Sequence, residues 1–291
     1  IKEDDSSVPQ NHGPFAYSTR FDDGAEYPVF VRTRRDGGAE QIVLDANTEA
    51  AAHDYFQLGG RAIAPDHRVL AWTADVNGSE FFALRFRDIE NGTDLGYQID
   101  DVDSMAWADA QTLFYVRLDA RHHPNKVYRH RVGRDPSQDV LVYTETDTRY
   151  LVEVDRQVSG GFVTIYTGMN DENEIRVIPT DDPAATPMVI EARTPGLEYD
   201  IDHQDDVFLV LTNADSAHDF KVMTTPVAAP SRKNWVDLIP HEDGRRIVQT
   251  LVHKDWLIWL ERRHALPRIC YVAKGQPISA AKTIAFDEQA F

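Results

Sequence analysis

Basic residues and cysteine are scarce in this chain of 291 residues, and each shortage excludes a class of function. Lysine and arginine total 30 against 48 aspartate and glutamate residues, so the formal net charge is −18. A field of this sign repels phosphate, which excludes nucleic acid and anionic membrane surfaces as expected partners and favours cationic ligands. Cys270 is the single cysteine, so no internal disulfide can form, and we expect its thiol to be buried in a strand.

Long apolar runs are missing as well. None approaches the roughly 18 residues that a membrane-spanning helix requires. The segment Ile1–Asp5 is polar and acidic, so no signal peptide is predicted there. Because a lone cysteine suits a reducing compartment, we expect a cytoplasmic location.

Helical periodicity is almost absent, and only two short segments predict helix. Asn47 is a candidate N-cap for one or two turns through Ala50–Ala52. Ser231 is a candidate N-cap for a short helix carrying Trp235 and ending before Pro240. The chain is therefore predicted to be all-β.

Short apolar runs separated by turn dipeptides fill the chain from residue 15 onward, whereas residues 1–14 are polar and predict an N-terminal tail. Aromatic and β-branched residues dominate these runs, as is typical of strands. The runs are Val29–Val31, Phe81–Leu84, Leu113–Val116, Val207–Val210 and Trp256–Trp259. The turn signals between them are Asp23-Gly24, Gly37-Gly38, Asn77-Gly78, Asn91-Gly92, Gly160-Gly161 and Asp243-Gly244.

The strand pattern repeats along the chain. One apolar strand anchor per repeat recurs at a spacing of 43–50 residues, at Leu70, Leu113, Val163, Phe208 and Leu257. A period of about 40–50 residues with four short strands is typical of β-propeller blades. A further repeat begins near residue 17 and the last begins near residue 249, so about six blades are predicted over 15–291. A β-sandwich is the alternative, but it gives no reason for this period.

No sequence motif points to a catalytic or metal site. The nucleophile elbow G-x-S-x-G does not occur, and Ser159–Gly161 is predicted to be a hairpin turn. His122 and His123 are adjacent in a loop with Asp119, and adjacent side chains rarely converge on one ion, so we expect a solvated loop.

The remaining candidates also have simple structural interpretations. Asp100, Asp101 and Asp103 lack the glycine and the closing glutamate of a calcium loop, which favours an acidic turn. Trp256 and Trp259 are expected to fill space between blades, with a ligand-binding face as the alternative. The sequence therefore predicts no catalytic residue, no cofactor-binding residue and no metal ligand in this chain.

A series of short stretches, in a fixed order, resembles a known family. The stretches are Tyr17–Arg20 with Glu26–Pro28, His53–Phe56 with Leu58–Gly60, Ala64–Asp66 before Leu70–Trp72, Ala106–Asp109 before Leu113–Tyr115, Val127–Gly133, Asp139–Tyr143, Glu198–Asp200, Leu211–Asp215, Trp235 with Leu238–His241, and Leu266–Arg268. Their order is similar to that of the propeller domain of oligopeptidase B (protease II), in the prolyl oligopeptidase family of serine peptidases. His67 departs from the family's Pro-Asp-Gly turn, which brings the local turn geometry into question.

The resemblance implies a domain that caps an α/β-hydrolase catalytic domain absent from this chain. In the family, that domain supplies the catalytic Ser, Asp and His and most of the pocket for Arg or Lys, while the propeller admits short peptides and excludes folded proteins. None of the catalytic residues can be assigned to positions in this sequence. Because the family propeller has about seven blades, an incomplete ring is implied. We expect self-association through its open blade edges or marginal stability, with a ring that closes on fewer blades as the alternative.

Two other functions remain open. A free-standing propeller that acts as a scaffold for protein partners is the main alternative, and a gene ending near Phe291 would favour it. A downstream domain containing G-x-S-x-G would favour the peptidase. A sugar- or metal-binding propeller enzyme ranks lowest, because no acidic or histidine set recurs across the blades.

Overall fold

The computed structural model describes residues 5–287. These residues form six four-stranded sheets, each built from strands that follow one another along the chain. The chain separates into two compact units, one formed by the described residues up to 124 with 128–141, the other by 125–127 with the described residues from 142 on. In residues 5–287, no helix is long and apolar enough to cross a membrane.

The first unit contains sheets 1 and 2 and most of sheet 3. Sheet 1 consists of β1 (Gln10–His12), β2 (Phe15–Arg20), β3 (Val29–Arg34) and β4 (Gln41–Asp45), followed by helix α1 (Ala46–Ala50). Sheet 2 consists of β5 (Gln57–Ile63), β6 (Val69–Asp75), β7 (Ala83–Asp88) and β8 (Thr93–Ile99). Sheet 3 consists of β9 (Val102–Trp107), β10 (Thr112–Leu118), β11 (Pro124–Arg131) and β12 (Val140–Thr144), with a 3-10 helix at Pro136–Gln138.

The second unit contains sheets 4, 5 and 6. Sheet 4 consists of β13 (Leu151–Arg156), β14 (Phe162–Gly168), β15 (Asn173–Pro179) and β16 (Met188–Val189). Sheet 5 consists of β17 (Tyr199–Gln204), β18 (Val207–Thr212), β19 (Lys221–Pro226) and β20 (Val236–Ile239), with a 3-10 helix at Arg232–Asn234. Sheet 6 consists of β21 (Arg245–His253), β22 (Trp256–Arg263), β23 (Leu266–Ala273) and β24 (Lys282–Thr283), with a 3-10 helix at Ile278–Ala280.

The predicted repeat is confirmed. The anchors lie in the second strand of sheets 2 to 6, at Leu70 in β6, Leu113 in β10, Val163 in β14, Phe208 in β18 and Leu257 in β22. A second strand has a hydrogen-bonded neighbour on both sides, which explains why all five anchors are buried. Six four-stranded meanders at this period are the blades of a β-propeller, the predicted fold class.

The hydrophobic cores lie between consecutive sheets within each unit. Phe30 of sheet 1 packs with Leu70 and Trp72 of sheet 2 in one cluster. Phe162 of sheet 4 packs with Phe208 of sheet 5 in another. Burial of a side chain of this size contributes about 1.5–3 kcal/mol, so the contacts between faces stabilise each pair of blades.

The predicted N-terminal tail is wrong over part of its length. Residues 1–4 of that segment lie outside the described residues. Gln10–His12 form β1, which pairs with Phe15–Tyr17 of β2. Gly13 has a φ of 55° and begins the turn between the two strands. The polar composition correctly indicated exposure, since all of β1 is exposed. Composition alone cannot distinguish an exposed strand from a tail, because both are polar.

Both predicted helix caps are corrected. The N-cap of α1 is Asp45, whose carboxylate accepts hydrogen bonds from the backbone N–H groups of Asn47 and Thr48. The Asn47 side chain instead bonds the backbone of Tyr27. Ser231 precedes only a short 3-10 helix and makes no capping bond with its side chain, because the chain turns at once into strand β20.

His67 occupies the turn between β5 and β6 with a φ of 63°, in the left-handed region that glycine adopts most easily. Its side chain is buried, and its Nδ1 lies 2.8 Å from the hydroxyl of Tyr17. The guanidinium of Arg32 donates a hydrogen bond to its carbonyl oxygen. Histidine at position 67 therefore keeps the backbone conformation that glycine has in the family's turn, and the imidazole ring contacts sheet 1.

The aromatic residues of sheet 6 have two different environments. Trp259 is buried in the core with Leu257 and Cys270, and its indole N–H donates to Glu261. The predictions for Trp259 and for a buried Cys270 are therefore confirmed. Trp256 is 43% exposed, because it lies on the opposite face of β22. The space-filling prediction is wrong for Trp256, which contacts Tyr271 on the exposed face.

Candidate functional site

The Ser159 turn is confirmed as a hairpin between β13 and β14. The Ser159 Oγ lies 2.8 Å from Nδ1 of His203, and Nε2 of His203 lies 2.7 Å from the carbonyl oxygen of Asp205. Because a carbonyl only accepts, the Nε2 proton points to Asp205, and Nδ1 accepts the serine proton. The pair connects the turn of sheet 4 to strand β17 of sheet 5.

The histidine loop is also confirmed as a loop, at 119–123 between β10 and β11. The Asp119 carboxylate accepts hydrogen bonds from the backbone N–H groups of Arg121 and His123, which closes the loop on itself. The ring of His122 packs on Phe81 with 3.9 Å between centroids. In the described part of the chain, no group of three or more His, Cys, Asp or Glu residues is arranged to hold a metal ion.

The acidic segment near residue 100 divides between two elements. Asp100 and Asp101 form the connection between β8 and β9, as the predicted turn requires. Asp103 lies inside β9 and is exposed, and partial desolvation by neighbouring protein atoms raises the pKa of its carboxyl group. The prediction of a turn is therefore wrong for Asp103. Because the preceding Val102 is buried, Asp103 lies on the exposed face of the strand.

The most distinctive surface of the second unit is formed by the first strands of sheets 4 and 5. In β13 the apolar residues Val152 and Val154 are buried, so Glu153 and Asp155 project from the other face. In β17 Tyr199 and Ile201 are buried, so Asp200 and Asp202 project in the same way. Two strands with the same alternation thus bring four carboxylates to one region.

These four carboxylates line a cavity of about 360 Å³, which we call the acidic cavity. The side chains around them are those of Arg156, Tyr166, Gln249, Thr250 and Leu251, from sheets 4 and 6. The Thr250 hydroxyl donates a 2.6 Å hydrogen bond to Asp202. That hydrogen bond holds the Asp202 carboxylate against β21. Among the described residues that line the cavity, Arg156 is the only basic one.

The acidic cavity resists further negative charge. Limited contact with water, together with repulsion from Asp200, raises the pKa of Asp202 to about 6, against the opposing hydrogen bond from Thr250. The pKa of Asp200 is raised in the same direction by the surrounding cavity walls and by Asp155. A cation placed in the cavity would relieve this repulsion, so the geometry favours a positively charged ligand.

Sequence reasoning missed this cavity as a site. The alternation Glu153-Val154-Asp155 and Asp200-Ile201-Asp202 was visible, and alternation of acidic with apolar residues in a first strand was the available signal. The two segments are more than 40 residues apart, so only the pairing of blades shows that they share a cavity.

Comparison with known proteins identifies the family. Residues 1–287 match the family model described as prolyl oligopeptidase, N-terminal beta-propeller domain. The chain therefore belongs to the prolyl oligopeptidase family and corresponds to the N-terminal propeller domain of its members. The resemblance to the oligopeptidase B group is confirmed by the individual relatives.

Two curated relatives align with almost the whole chain. Dipeptidyl aminopeptidase BI of Pseudoxanthomonas mexicana is 32% identical over 286 residues, which cover 91% of this chain and 39% of the relative. Protease 2 of Moraxella lacunata is 28% identical over 286 residues, which cover 95% of this chain and 41% of the relative. The chain thus spans about 40% of the length of these relatives.

Solved structures confirm the propeller fold. Oligopeptidase B from Trypanosoma brucei with covalently bound antipain, in its closed form, matches with a TM-score of 0.90 and 29% identity, covering 99% of this chain and 42% of that one. Oligopeptidase B from Leishmania major matches with a TM-score of 0.92 and 23% identity, again covering 99% and 42%. The second likeness is evidence for the fold alone.

Proposed function

We propose that this chain is the access-controlling propeller of a longer oligopeptidase-B-like serine peptidase that cleaves short peptides after Arg or Lys. One observation carries the proposal: the whole chain is similar to the propeller of oligopeptidase B, yet covers 42% of that enzyme. A catalytic α/β-hydrolase domain would then be supplied by further sequence. The acidic cavity supports the cationic part of the proposal, since carboxylates attract Arg and Lys side chains.

The first test uses the chain as it stands. Acyl transfer needs an activated nucleophile and an oxyanion hole. We therefore expect purified chain not to hydrolyse Arg or Lys esters and amides. Turnover that titrates with an active-site serine reagent would overturn this assignment, whereas the same chain joined to the sequence that follows it in the gene should be active.

The second test concerns electrostatic guidance in the longer protein. Charge steering is screened over about 8 Å at physiological ionic strength, so kcat/KM for an Arg peptide should fall as salt rises, by about tenfold. Inactivation of the longer protein by an uncharged active-site serine reagent is the control for salt effects on the protein itself, because that reaction needs no cationic substrate. Equal salt profiles for the Arg peptide and the reagent, or a flat profile for the Arg peptide, would contradict guidance by the acidic charge.

Replacement of both Asp200 and Asp202 by Asn tests whether the acidic cavity contributes to this guidance. The double variant should reduce the salt dependence of kcat/KM for the Arg peptide and leave inactivation by the uncharged reagent unchanged. An exposed pair away from the cavity, Asp205→Asn with Asp206→Asn, removes the same charge as a control. An equal effect of both double variants would assign the guidance to net charge alone.

We also propose that copies of this chain associate through sheet 6. Trp256 is 43% exposed on the outer face of this sheet, Leu266 is 37% exposed at the start of β23, and the nearby Ile284 is 43% exposed. Burying several such side chains gains about 25 cal/mol per Å², which exceeds the screened repulsion of two acidic surfaces. Sedimentation should show a concentration-dependent dimer that Trp256→Ser weakens. A strictly monomeric chain at all concentrations would contradict this part of the proposal.

A further inference from the structure

The first unit contains a second cavity, of about 600 Å³, formed by sheet 1 together with β5 and β6 of sheet 2. Its floor is apolar and includes Phe30, Val43 and Leu70. Its rim is polar and includes the carboxamides of Gln10 and Asn11, on the exposed strand β1. A cavity of about 300–1,000 Å³ with an apolar floor and a few polar groups is typical of small-ligand sites.

Arg61, in β5, carries the one permanent charge among the described residues that line this cavity. Its guanidinium carbon lies 3.4 Å from the centroid of the Phe30 ring. Throughout residues 5–287, no ion pair or side-chain hydrogen bond satisfies this guanidinium. In contrast, Arg87 on the same sheet is bound by both Glu49 and Asp94.

Arg61 has no acidic partner among the described residues, although the chain carries 48 acidic and 30 basic residues. The residue as a whole is exposed, and partial desolvation by neighbouring protein atoms lowers the pKa of its guanidinium. The stacking on Phe30 holds the planar group in one orientation, which reduces the entropy lost when a ligand binds. The missing countercharge is therefore the feature that a ligand would supply.

We propose that this cavity binds a carboxylate attached to an apolar group, namely the C-terminus of a short peptide that ends in an apolar residue. Arg61 would hold the carboxylate through two parallel hydrogen bonds, the geometry that guanidinium and carboxylate favour. The apolar side chain would enter the cavity beside the stacked Arg61 and Phe30, and Gln10 and Asn11 would bond the peptide backbone. The inference rests on the proposed function only in that peptides reach this domain.

The test is direct binding to the full chain, measured by calorimetry. The probe is acetyl-Ala-Leu with a free carboxylate, compared with the same dipeptide carrying a C-terminal amide. We expect the acid to bind at least about tenfold more tightly than the amide, because charge-assisted bonds to Arg are made only by the acid. The difference should shrink in about 1 M salt. Equal affinities, or no binding of either peptide, would overturn the proposal.

Variants connect the effect to one side chain. Arg61→Gln should abolish the preference for the acid, and Arg61→Lys should keep part of it, since lysine retains the charge but not the planar fork. Arg121→Gln, in an exposed loop of the same unit, removes the same charge and should leave the preference unchanged. Near-UV circular dichroism checks that each variant is folded. A similar loss in Arg121→Gln would overturn the site, whereas peptide cleavage by the longer protein is a separate readout that tests only the proposed function.

Discussion

The two units carry cavities of opposite electrostatic character. The cavity of the first unit has an apolar floor and one unpaired cation, Arg61. The acidic cavity of the second unit has four carboxylates, including Asp200 and Asp202, and one arginine. In both, the charged groups project from the first strands of the sheets. A net charge of −18 is therefore a poor description of what either surface would bind.

The comparison also shows how the same alternation can give two results. In β13 and β17 two alternate positions are acidic, so the first strands of adjacent sheets place like charges together. This repulsion adds to the limited contact with water that raises the pKa of Asp202. In β5 the sequence around Arg61 is glycine and alanine, so its charge remains isolated. The local sequence decides whether a strand carries positive or negative charge. The packing of adjacent blades decides whether several such charges come close together.

The largest expected effect tests whether the two units depend equally on their hydrophobic cores. Phe86 in the first unit and Phe208 in the second are both 0% exposed. Phe86→Ala and Phe208→Ala should each lower the free energy of unfolding by about 3–5 kcal/mol, through lost burial and a residual cavity. Denaturant titration measures the loss, with exposed Phe21→Ala as control. A loss similar to that of the control in either unit would show that its core relaxes around the change.

A smaller effect is expected at glycines beside the two cavities. A Cβ at Gly59 would overlap Thr73 and the ring of Phe82, and Thr73 is buried. Gly59→Ala should therefore cost about 1–3 kcal/mol. A Cβ at Gly168 would meet the hydroxyl end of Tyr166, which can rotate away, so Gly168→Ala should cost less. Thermal unfolding of both variants gives the ranking, and the reverse order would contradict this view of the packing.

The pH dependence of stability distinguishes the acidic cavity. The pKa of Asp202 is raised from 3.8 to about 6, so the folded state holds the proton more tightly than the unfolded state. Ionisation therefore destabilises the fold fully above the raised pKa, and the penalty disappears as pH falls towards the ordinary value. Asp202→Asn should stabilise the chain by about 1–2 kcal/mol at high pH.

The measurement is denaturant unfolding of wild type and Asp202→Asn between about pH 4 and about pH 8, where the stability difference should grow with pH. Asp206→Asn, in the exposed turn after β17, is the matched control. A difference that stays constant with pH, or one that is largest at low pH, would refute the raised pKa as the cause.

The smallest effect is expected for the cation of the first unit. Within residues 5–287, the stabilising contact of the Arg61 side chain is its stacking on Phe30. Arg61→Gln should therefore change the free energy of unfolding by no more than about 1 kcal/mol, as for exposed cation–π pairs. Thermal unfolding at two salt concentrations checks this value. A loss as large as that of Phe86→Ala would make Arg61 a structural residue and would remove the contrast between the two cavities.

The sequence was sufficient to predict the blades because each anchor lies in a strand with neighbours on both sides. Leu113 and Phe208 are apolar for the same geometric reason, so their spacing reports the repeat directly. The N-cap of helix α1 was harder to predict than the blades, because Asp45 and Asn47 are equally good capping residues. Only the hydrogen bond between Asn47 and the backbone of Tyr27 distinguishes them. The exposed strand β1 was missed because its residues are buried on neither face.

The cavities could not be predicted because they depend on contacts between distant strands. Asp155 and Asp200 affect each other only after sheets 4 and 5 pack together. Arg61 lacks an acidic partner because none of the described residues packed around it in the fold is acidic. The sequence does not show which residues these are. Charge patterns within a strand are visible in the sequence, whereas the charge of a cavity is a property of the fold.

The buried ring of His67 limits which amino acids can replace Gly13 during evolution. A Cβ at Gly13 would overlap that ring, so residue 13 must stay glycine while histidine occupies position 67. Glycine at position 67 would remove that overlap, and the φ of 55° at position 13 would then admit mainly Asn or Asp besides glycine. The two positions should therefore covary among homologues, with the change at 67 preceding the change at 13 in any lineage that acquires Asn or Asp there.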